Sequence, residues 1–392
     1  MLQTSNNFNK VSNFVSKGSC GLNRMDKAFI PVCLPKLPTA SQIYPYIKKI
    51  DENRYYSNFG PLVRNLEDRI SEHLNYSYNI ASTASSGTLA LEIALRTFNK
   101  KPYSKILCPS WTFIGTAQAI VNAHLTPVFC DVDIHNWWLD ISKVREILMK
   151  NEDISGIILV APFGNIPKLE EWESLSVEFN IDIIMDAASA SLDSLTISKI
   201  IPIMVSLHAT KLLTAGEGGV VLLDDEAFID TFKTKINFGI SNNGVHTIGT
   251  NAKLSEYHAA LCHASLDNWE KTAKILERNC KRYASNLAAL SAISLLPGYG
   301  HTRFTNTCVL RSKLKLEDEL NRQNIETRRW WRFGCHREPL FLEDDINFPN
   351  TCMLAKESIA LPNFVDIGAD KIDLISEKII QFNENWHLES TR

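Results

Sequence analysis

Between residues 85 and 223 short apolar runs alternate with helix-forming stretches, and this alternation restricts the fold more than any other feature of the chain. Lys105–Cys108 (closed by Pro109), Pro127–Val132, Gly156–Ala161, Ile181–Met185, Ile203–Leu207 and Gly219–Leu223 read as strands. Runs such as Ile157-Ile158-Leu159-Val160 are far shorter than the ~20 residues of a membrane helix and are rich in β-branched side chains, which favours buried strands. Leu89–Leu95, Thr112–Asn122, Ile141–Met149 and Lys168–Phe179 read as the intervening helices. Strands separated by helices build βαβ units, so the expectation is an α/β fold with a mostly parallel sheet and helices on both faces.

After about residue 255 the pattern changes. A helical stretch runs from Glu256 to about Leu290, with a break expected near Asp267-Asn268. Mixed elements follow, including Thr305–Leu310 and Leu316–Arg322, which suits a smaller α+β domain. The expected division is a flexible N-terminal extension over 1–27, a large domain over 28–255 and a small C-terminal domain over 256–392. Residues 1–24 are polar, rich in Asn and Ser, and lack the apolar core of a secretory signal. Met25 opens a more conventional segment, so residues 1–24 are expected to add little to activity.

Charge excludes some partners. The net charge is -3, with no basic excess to attract nucleic acid or an anionic membrane surface. The nine cysteines are scattered, with no C-x-x-C pair and no zinc-like spacing, so no metal is expected. Such usage suits thiols in a reducing cytoplasm.

In open α/β sheets ligands bind beyond the carboxyl ends of the strands. Asp186 and His208 stand there. Asp186 follows Ile183-Ile184-Met185, where a carboxylate is costly unless it is paired or caps a helix. Lys211 follows a strand and precedes the turn Gly216-Glu217-Gly218-Gly219. Ser85-Ser86-Gly87-Thr88 opens a helix, where free amides and the helix dipole favour an anion, although the same residues make an ordinary cap. Ser206 adds a hydroxyl, and Trp111 and Phe113 are either flat partners for a ligand or core. Together these residues meet the needs of a phosphate-bearing aldehyde cofactor: an amine, an anion for a ring nitrogen, donors for the phosphate and a flat apolar group.

The strings SSGTLALEIAL (85–95), CPSWTFIGTAQAIVNAHLTPVFCDVD (108–133), DAASA (186–190), SLHATKLLTAGEGG (206–219) and GTNAKLSEYHAA (249–260), preceded by YSNFGPLVRNLEDRI (56–70), resemble the DegT/StrS-type aminotransferases. The resemblance covers the chain from about residue 28 to its end. It implies a fold type I transferase with a seven-stranded sheet and pyridoxal 5'-phosphate as cofactor. Lys211 matches the lysine that carries the cofactor and Asp186 the aspartate on its ring nitrogen. Gly87, Thr88 and Ser206 match phosphate ligands, Phe113 (rather than Trp111) the ring partner, and His208 a histidine near the cofactor. Asn251 and Lys253 match a loop that reaches the neighbouring subunit's cofactor phosphate, which implies a homodimer with shared sites. Tyr56, Ser57, Asn58 and Gly60 match a segment at the cofactor edge. Arg328, Arg329 and Trp331, in Glu326–Arg332, match a substrate-facing segment, where arginines hold a diphosphate and tryptophans stack a sugar or base; the bland alternative is a partly exposed strand.

Three departures stand out. Ser189 occupies a cofactor-binding position where the family usually has His or Gln. The segment 193–203, near the active-site entrance in the family, is short and lacks the usual glycines. Lys253 replaces the more common Arg or Asn. The implied activity is transfer of an amino group from L-glutamate to a nucleotide-linked keto-sugar, such as a 4-keto-6-deoxyhexose, for lipopolysaccharide, other surface polysaccharide or natural-product synthesis. The alternatives are a sugar dehydratase of the same fold, against which Lys211 argues because that branch has histidine there, and a cofactor-binding regulatory or scaffold protein without turnover.

Overall fold

The computed structural model describes residues 29–297, 308–342 and 347–390. Helices α1 (Ala40–Asn53) and α2 (Pro61–His73) lead into an alternating series. It comprises β1 (Ala81–Ala84), α3 (Gly87–Thr97), β2 (Lys105–Pro109), α4 (Ile114–Asn122), β3 (Thr126–Cys130), α5 (Ile141–Lys150), β4 (Ile154–Val160), α6 (Leu169–Phe179), β5 (Asp182–Asp186), β6 (Ile203–Ser206), β7 (Gly219–Leu222) and α7 (Glu226–Ile236). A short exposed hairpin, β8 (Ile240–Ser241) with β9 (Gly244–Val245), precedes α8 (Glu256–Asp267) and α9 (Trp269–Leu287). The chain ends with β10 (Ile293–Leu295), β11 (Cys308–Ser312), α10 (Leu316–Arg322), α11 (Pro349–Glu357), β12 (Ser358–Leu361) and α12 (Ala369–Ser390).

The central sheet has seven strands in the order β1-β7-β6-β5-β4-β2-β3. The run from β6 to β3 is parallel, and β7 is antiparallel to both of its neighbours. This is the mostly parallel α/β sheet expected. Its central strands are apolar along their length because helices cover both faces. β1 was not anticipated, since Ala-Ser-Thr-Ala carries no large apolar residue. It is nonetheless fully buried. On its outer side the Thr83 amide and hydroxyl both bond to Glu67 Oε1 of α2, at 2.8 and 3.0 Å, which satisfies groups that an edge strand would otherwise leave open. The strand expected at Thr305–Leu310 runs over Cys308–Ser312, and residues 305–307 lie outside the described residues.

The core divides differently from the expected boundary at residue 256. Ala259, Ala260, Cys262 and Leu266 of α8 bury against Leu62 and Leu66 of α2, in the same core as the central sheet. Trp269, Ala273 and Leu276 continue that core. Cys280, Tyr283 and Leu287, further along α9, join a second core around the three-stranded sheet β10-β11-β12. The apolar face of α9 therefore passes from one core to the other between Leu276 and Cys280, and we place the boundary there. Ile30 and Val32 also belong to the second core, tied by Ile30 N to Asn324 O at 2.9 Å. The expected break near Asp267-Asn268 is present, with Asn268 between the two helices. The expected extension over residues 1–27, including 1–24, lies outside the described residues. Among those described, eight cysteines are free, no group of three or more His, Cys, Asp and Glu could hold a metal, and no helix is long and apolar enough to cross a membrane.

His263 shows how tightly α8 is set. Its Nε2 donates to Leu62 O and its Nδ1 accepts from Arg69 Nη1, both at 2.9 Å, so neither nitrogen has room for a second proton. Burial, with Arg69 beside it, pushes the imidazole from 6.5 down to about 4. The folded state refuses a proton that the unfolded chain accepts, so this stability is full above about pH 6.5 and is lost as pH falls towards 4. Thermal melting followed from pH 7 to 4 should show a steeper loss for the native protein than for His263→Gln.

Candidate active site

Strands β4, β5 and β6 end on one side of the sheet, and there a cleft of about 440 Å³ opens. Each element contributes for a local reason. In β5 the apolar run Ile183-Ile184-Met185 ends at Asp186, where the chain turns and leaves the carboxylate at the strand end. α3 begins at Gly87, with Ser86 Oγ accepting from Leu89 N at 3.2 Å as the cap. The Gly87 and Thr88 amides precede any intrahelical acceptor. Gly219 lets this first turn lie close on β7, since a Cβ there would stand 2.7 Å from Gly87 Cα. Gly87, Thr88, Ser206, Asp186, Ser189, His208, Lys211 and Phe113 all line this one cleft.

Asp186 is buried. Thr116 Oγ1 donates to its Oδ2 at 2.7 Å, and the Ala188 amide donates to its Oδ1 at 3.1 Å. Burial raises its pKa, opposed by the Thr116 and Ala188 hydrogen bonds and by Lys211. Both donors are neutral, and among the described residues no ion pair reaches the carboxylate. A protonated ring nitrogen is the kind of partner such a site takes.

Lys211 Nζ donates to Ser189 Oγ at 2.7 Å. Burial lowers its pKa, with Asp186 and Cys33 pulling the other way. A neutral amine is thereby more accessible than at a surface lysine. His208 is held by Thr210 Oγ1 at Nδ1, 2.9 Å, and lies 3.6 Å from Glu217 through Nε2. Ser206 Oγ accepts from the His208 amide at 3.3 Å.

Of the two aromatics near residue 112, Phe113 is 58% exposed and lines the cleft, while Trp111 is buried against Trp137, Phe163 and Trp331. The second unit supplies Arg328, Trp330 and Trp331. The Arg328 guanidinium lies 4.7 Å over the Trp330 ring, and Trp331 stacks on Phe163 at 4.4 Å.

Other expected residues lie elsewhere. Arg329 turns away to Glu317 Oε2, at 2.7 Å, and to the Lys356 carbonyl, so its expected place at the substrate is corrected. Arg328 pairs with Ala360 as in a sheet, and the alternation of an extended chain sends its neighbour to the other side. The segment 193–203 contributes nothing to the cleft lining, because Asp193 ties it to His73 Nε2 at 2.7 Å and Trp269 Nε1 at 2.9 Å. Tyr56, Asn58, Asn251 and Lys253 also do not line the cleft of their own chain. Tyr56 and Asn58 lie beside the N-terminus of α8, where the Tyr56 carbonyl accepts from Glu256 N at 3.1 Å. Lys253 Nζ donates to Asn251 Oδ1 at 2.7 Å and sits 4.5 Å over the exposed Phe238 ring.

Sequence reasoning passed over Thr116 and Cys33, both of which line the cleft, as does Trp330 of the expected substrate-facing segment. The four-residue spacing of Thr112 and Thr116 at the start of an expected helix was a usable signal, although the helix begins only at Ile114 and Thr112 lies just before it. Nothing in the sequence marked Cys33, which comes from beyond the sheet.

An amine, a buried carboxylate without a cation, an open helix N-terminus, two hydroxyls and an aromatic face in one cleft fit a phosphate-bearing pyridine aldehyde. The fold and this donor set define a fold type I aminotransferase. The chain belongs to the DegT/DnrJ/EryC1/StrS aminotransferase family, whose profile matches residues 39–380, and its cofactor is pyridoxal 5'-phosphate. It is 25% identical over 363 residues to dTDP-4-amino-4,6-dideoxy-D-glucose transaminase of Shigella dysenteriae, covering 89% of this chain and 97% of that enzyme. It is 24% identical over 369 residues to GDP-perosamine synthase of Escherichia coli O157:H7, covering 90% and 98%. The crystal structure of DesI in the presence of its TDP-sugar product superposes with a TM-score of 0.82 at 25% identity, covering 93% of this chain and 96% of that one.

The backbone under Ser189 depends on Gly164, which has φ +90°; a Cβ there would stand 2.7 Å from Ser189 O. Gly164→Ala should destabilise the fold by about 1–3 kcal/mol in denaturant unfolding and weaken cofactor binding, because Ser189 must move.

Proposed function

We propose that this protein moves an amino group from L-glutamate to a nucleotide-linked keto-sugar of the 4-keto-6-deoxyhexose type. The observation that carries this reading is Lys211 Nζ, desolvated and bonded to Ser189, in the same cleft as the buried Asp186 carboxylate. The names of the relatives support the substrate class, since two of them are made for dideoxy amino sugars or perosamine on a nucleotide.

Gly87, Thr88 and Ser206 would hold the cofactor phosphate, Phe113 would supply a flat face for the ring, and Ser189 and His208 would offer polar groups beside it. Asp186 keeps a proton on the ring nitrogen. When bound, the cofactor supplies an electron sink conjugated with the substrate amine. Lys211 Nζ, as a neutral amine, would remove the proton from Cα of the donor and pass it on within the first half-reaction, and in the second would deliver a proton to the acceptor carbon. Ser189 Oγ accepts a hydrogen bond from that amine and keeps it in place. Arg328 offers a planar charge for the substrate's diphosphate, and Trp331 a face for its sugar or base. Burial of Asp186 excludes water from its carboxylate and so strengthens its hold on the proton.

The working unit in this reading is a homodimer in the cytoplasm, with products entering lipopolysaccharide or another surface polysaccharide. Asn251 and Lys253 lie apart from their own cleft and are free to complete a partner's. Phe238, Ile240, Val245 and Ile248 beside them are 49, 46, 68 and 83% exposed, an apolar surface that a second copy would cover.

Two tests follow. Lys211→Ala should lower amino transfer roughly 10²–10⁴-fold or more in a coupled glutamate assay with nucleotide keto-sugars, and near-native turnover would overturn the reading. Mixing inactive Lys211→Ala with a weakened Asn251→Ala/Lys253→Ala protein should restore activity, because each hybrid dimer then contains one intact site. Absence of restoration after subunit exchange would argue against shared sites.

A further inference from the structure

We infer that Thr116 is a positioning residue for the Asp186 carboxylate, held in that role by Thr112 and by the turn Gly334–Arg337 of the second unit. The inference rests on the reading of Asp186 given above.

Thr116 stands in the first turn of α4 and is 1% exposed. Its hydroxyl has one hydrogen, given to Asp186 Oδ2 at 2.7 Å. The 2.9 Å contact between Thr112 Oγ1 and Thr116 Oγ1 then has to run from Thr112 to Thr116. All hydrogens in the chain Thr112→Thr116→Asp186 point towards the carboxylate, which suits an ionised acid. Protonation of Oδ2 would reverse the chain. The Thr112 hydrogen would then need an acceptor in a site that is 3% exposed, and no other partner for Thr112 Oγ1 is found among the described residues. A buried hydrogen left without an acceptor is costly, so the arrangement favours the ionised carboxylate.

Thr112 is fixed in turn. Its carbonyl accepts from Cys335 Sγ at 3.5 Å. The neighbouring Ser110 O accepts from Cys335 N at 2.7 Å. Ser110 Oγ accepts from the His336 amide at 3.3 Å and from His336 Nδ1 at 2.6 Å, since Nε2 accepts from Arg337 Nε at 3.3 Å and leaves the ring proton on Nδ1. This turn follows directly after Arg328, Trp330 and Trp331, which line the cleft. The segment lining the cleft at Arg328–Trp331 and the hydroxyl chain behind the Asp186 carboxylate are thus connected through this turn.

The test uses Thr116→Val, Thr116→Ser and Thr112→Val, with Asp186→Asn as control. Loss of a donor raises a carboxylate's pKa, so its ionised form disappears at higher pH. In Thr116→Val the acid limb of the glutamate half-reaction should move up by about one pH unit, and pyridoxal phosphate affinity of the apoprotein should fall roughly tenfold. Thr116→Ser should restore both, and Thr112→Val should give a smaller shift of the same sign. An unmoved limb with native affinity in Thr116→Val, or failure of Thr116→Ser to restore them, overturns the inference. If Thr116→Val does not fold, an unmoved limb in Thr112→Val does the same. If Asp186→Asn binds and reacts like the native protein, the reading of Asp186 itself fails; if only Asp186→Asn is damaged, the failure belongs to Thr116.

Discussion

The site depends on one buried negative charge. Asp186 ends the central strand β5, between β4 and β6, directly after the buried run Ile183-Ile184-Met185. A carboxylate in such a place is tolerated only when its lone pairs are occupied. Here a threonine from α4 and an amide from its own turn do so, and Lys211 comes down on the same cleft from beyond β6. The opposing shifts of the two groups have one origin. Burial makes each charge expensive and each partly relieves the other; the lowered Lys211 suits an amine that must lose its proton, while the Thr116 and Ala188 hydrogen bonds work against the burial that would protonate Asp186.

The second constraint is aromatic. Trp111 meets Trp137, Phe163 and Trp331, so the loop that presents Phe113 is packed against the unit that presents Arg328. Phe163 holds a left-handed backbone at φ 53°, an uncommon conformation for a bulky residue, and its ring stacks on Trp331. The cleft is therefore a product of both cores. Its floor is the sheet, and one wall is carried by the smaller unit, so a change in how the units pack reaches the site without touching the cofactor-facing strands.

Most of the large unit was legible in the sequence because its strands and helices have different periods, and each apolar run of β2 to β7 marks a strand. β1 was hidden because burial there is achieved by small residues and a glutamate from α2, which no hydrophobic pattern reports. The domain boundary was misplaced because α8 and α9 look alike in sequence while their apolar faces serve different cores. Within the cleft, the residues next to punctuating glycines and strand ends were recognisable. Thr116 acts through Asp186 and carries no such mark, and the different fates of Arg328 and Arg329 are set by a strand register against Ala360 that only the fold supplies.

The central claim is that Lys211 is the amine that carries the cofactor. Borohydride reduction of the loaded protein, followed by digestion and mass spectrometry, fixes the cofactor to whichever lysine holds it. The account predicts one modified peptide, with the added mass on Lys211, and none in protein treated with L-glutamate before reduction. Modification of a different lysine, or labelling unchanged by glutamate, would contradict it.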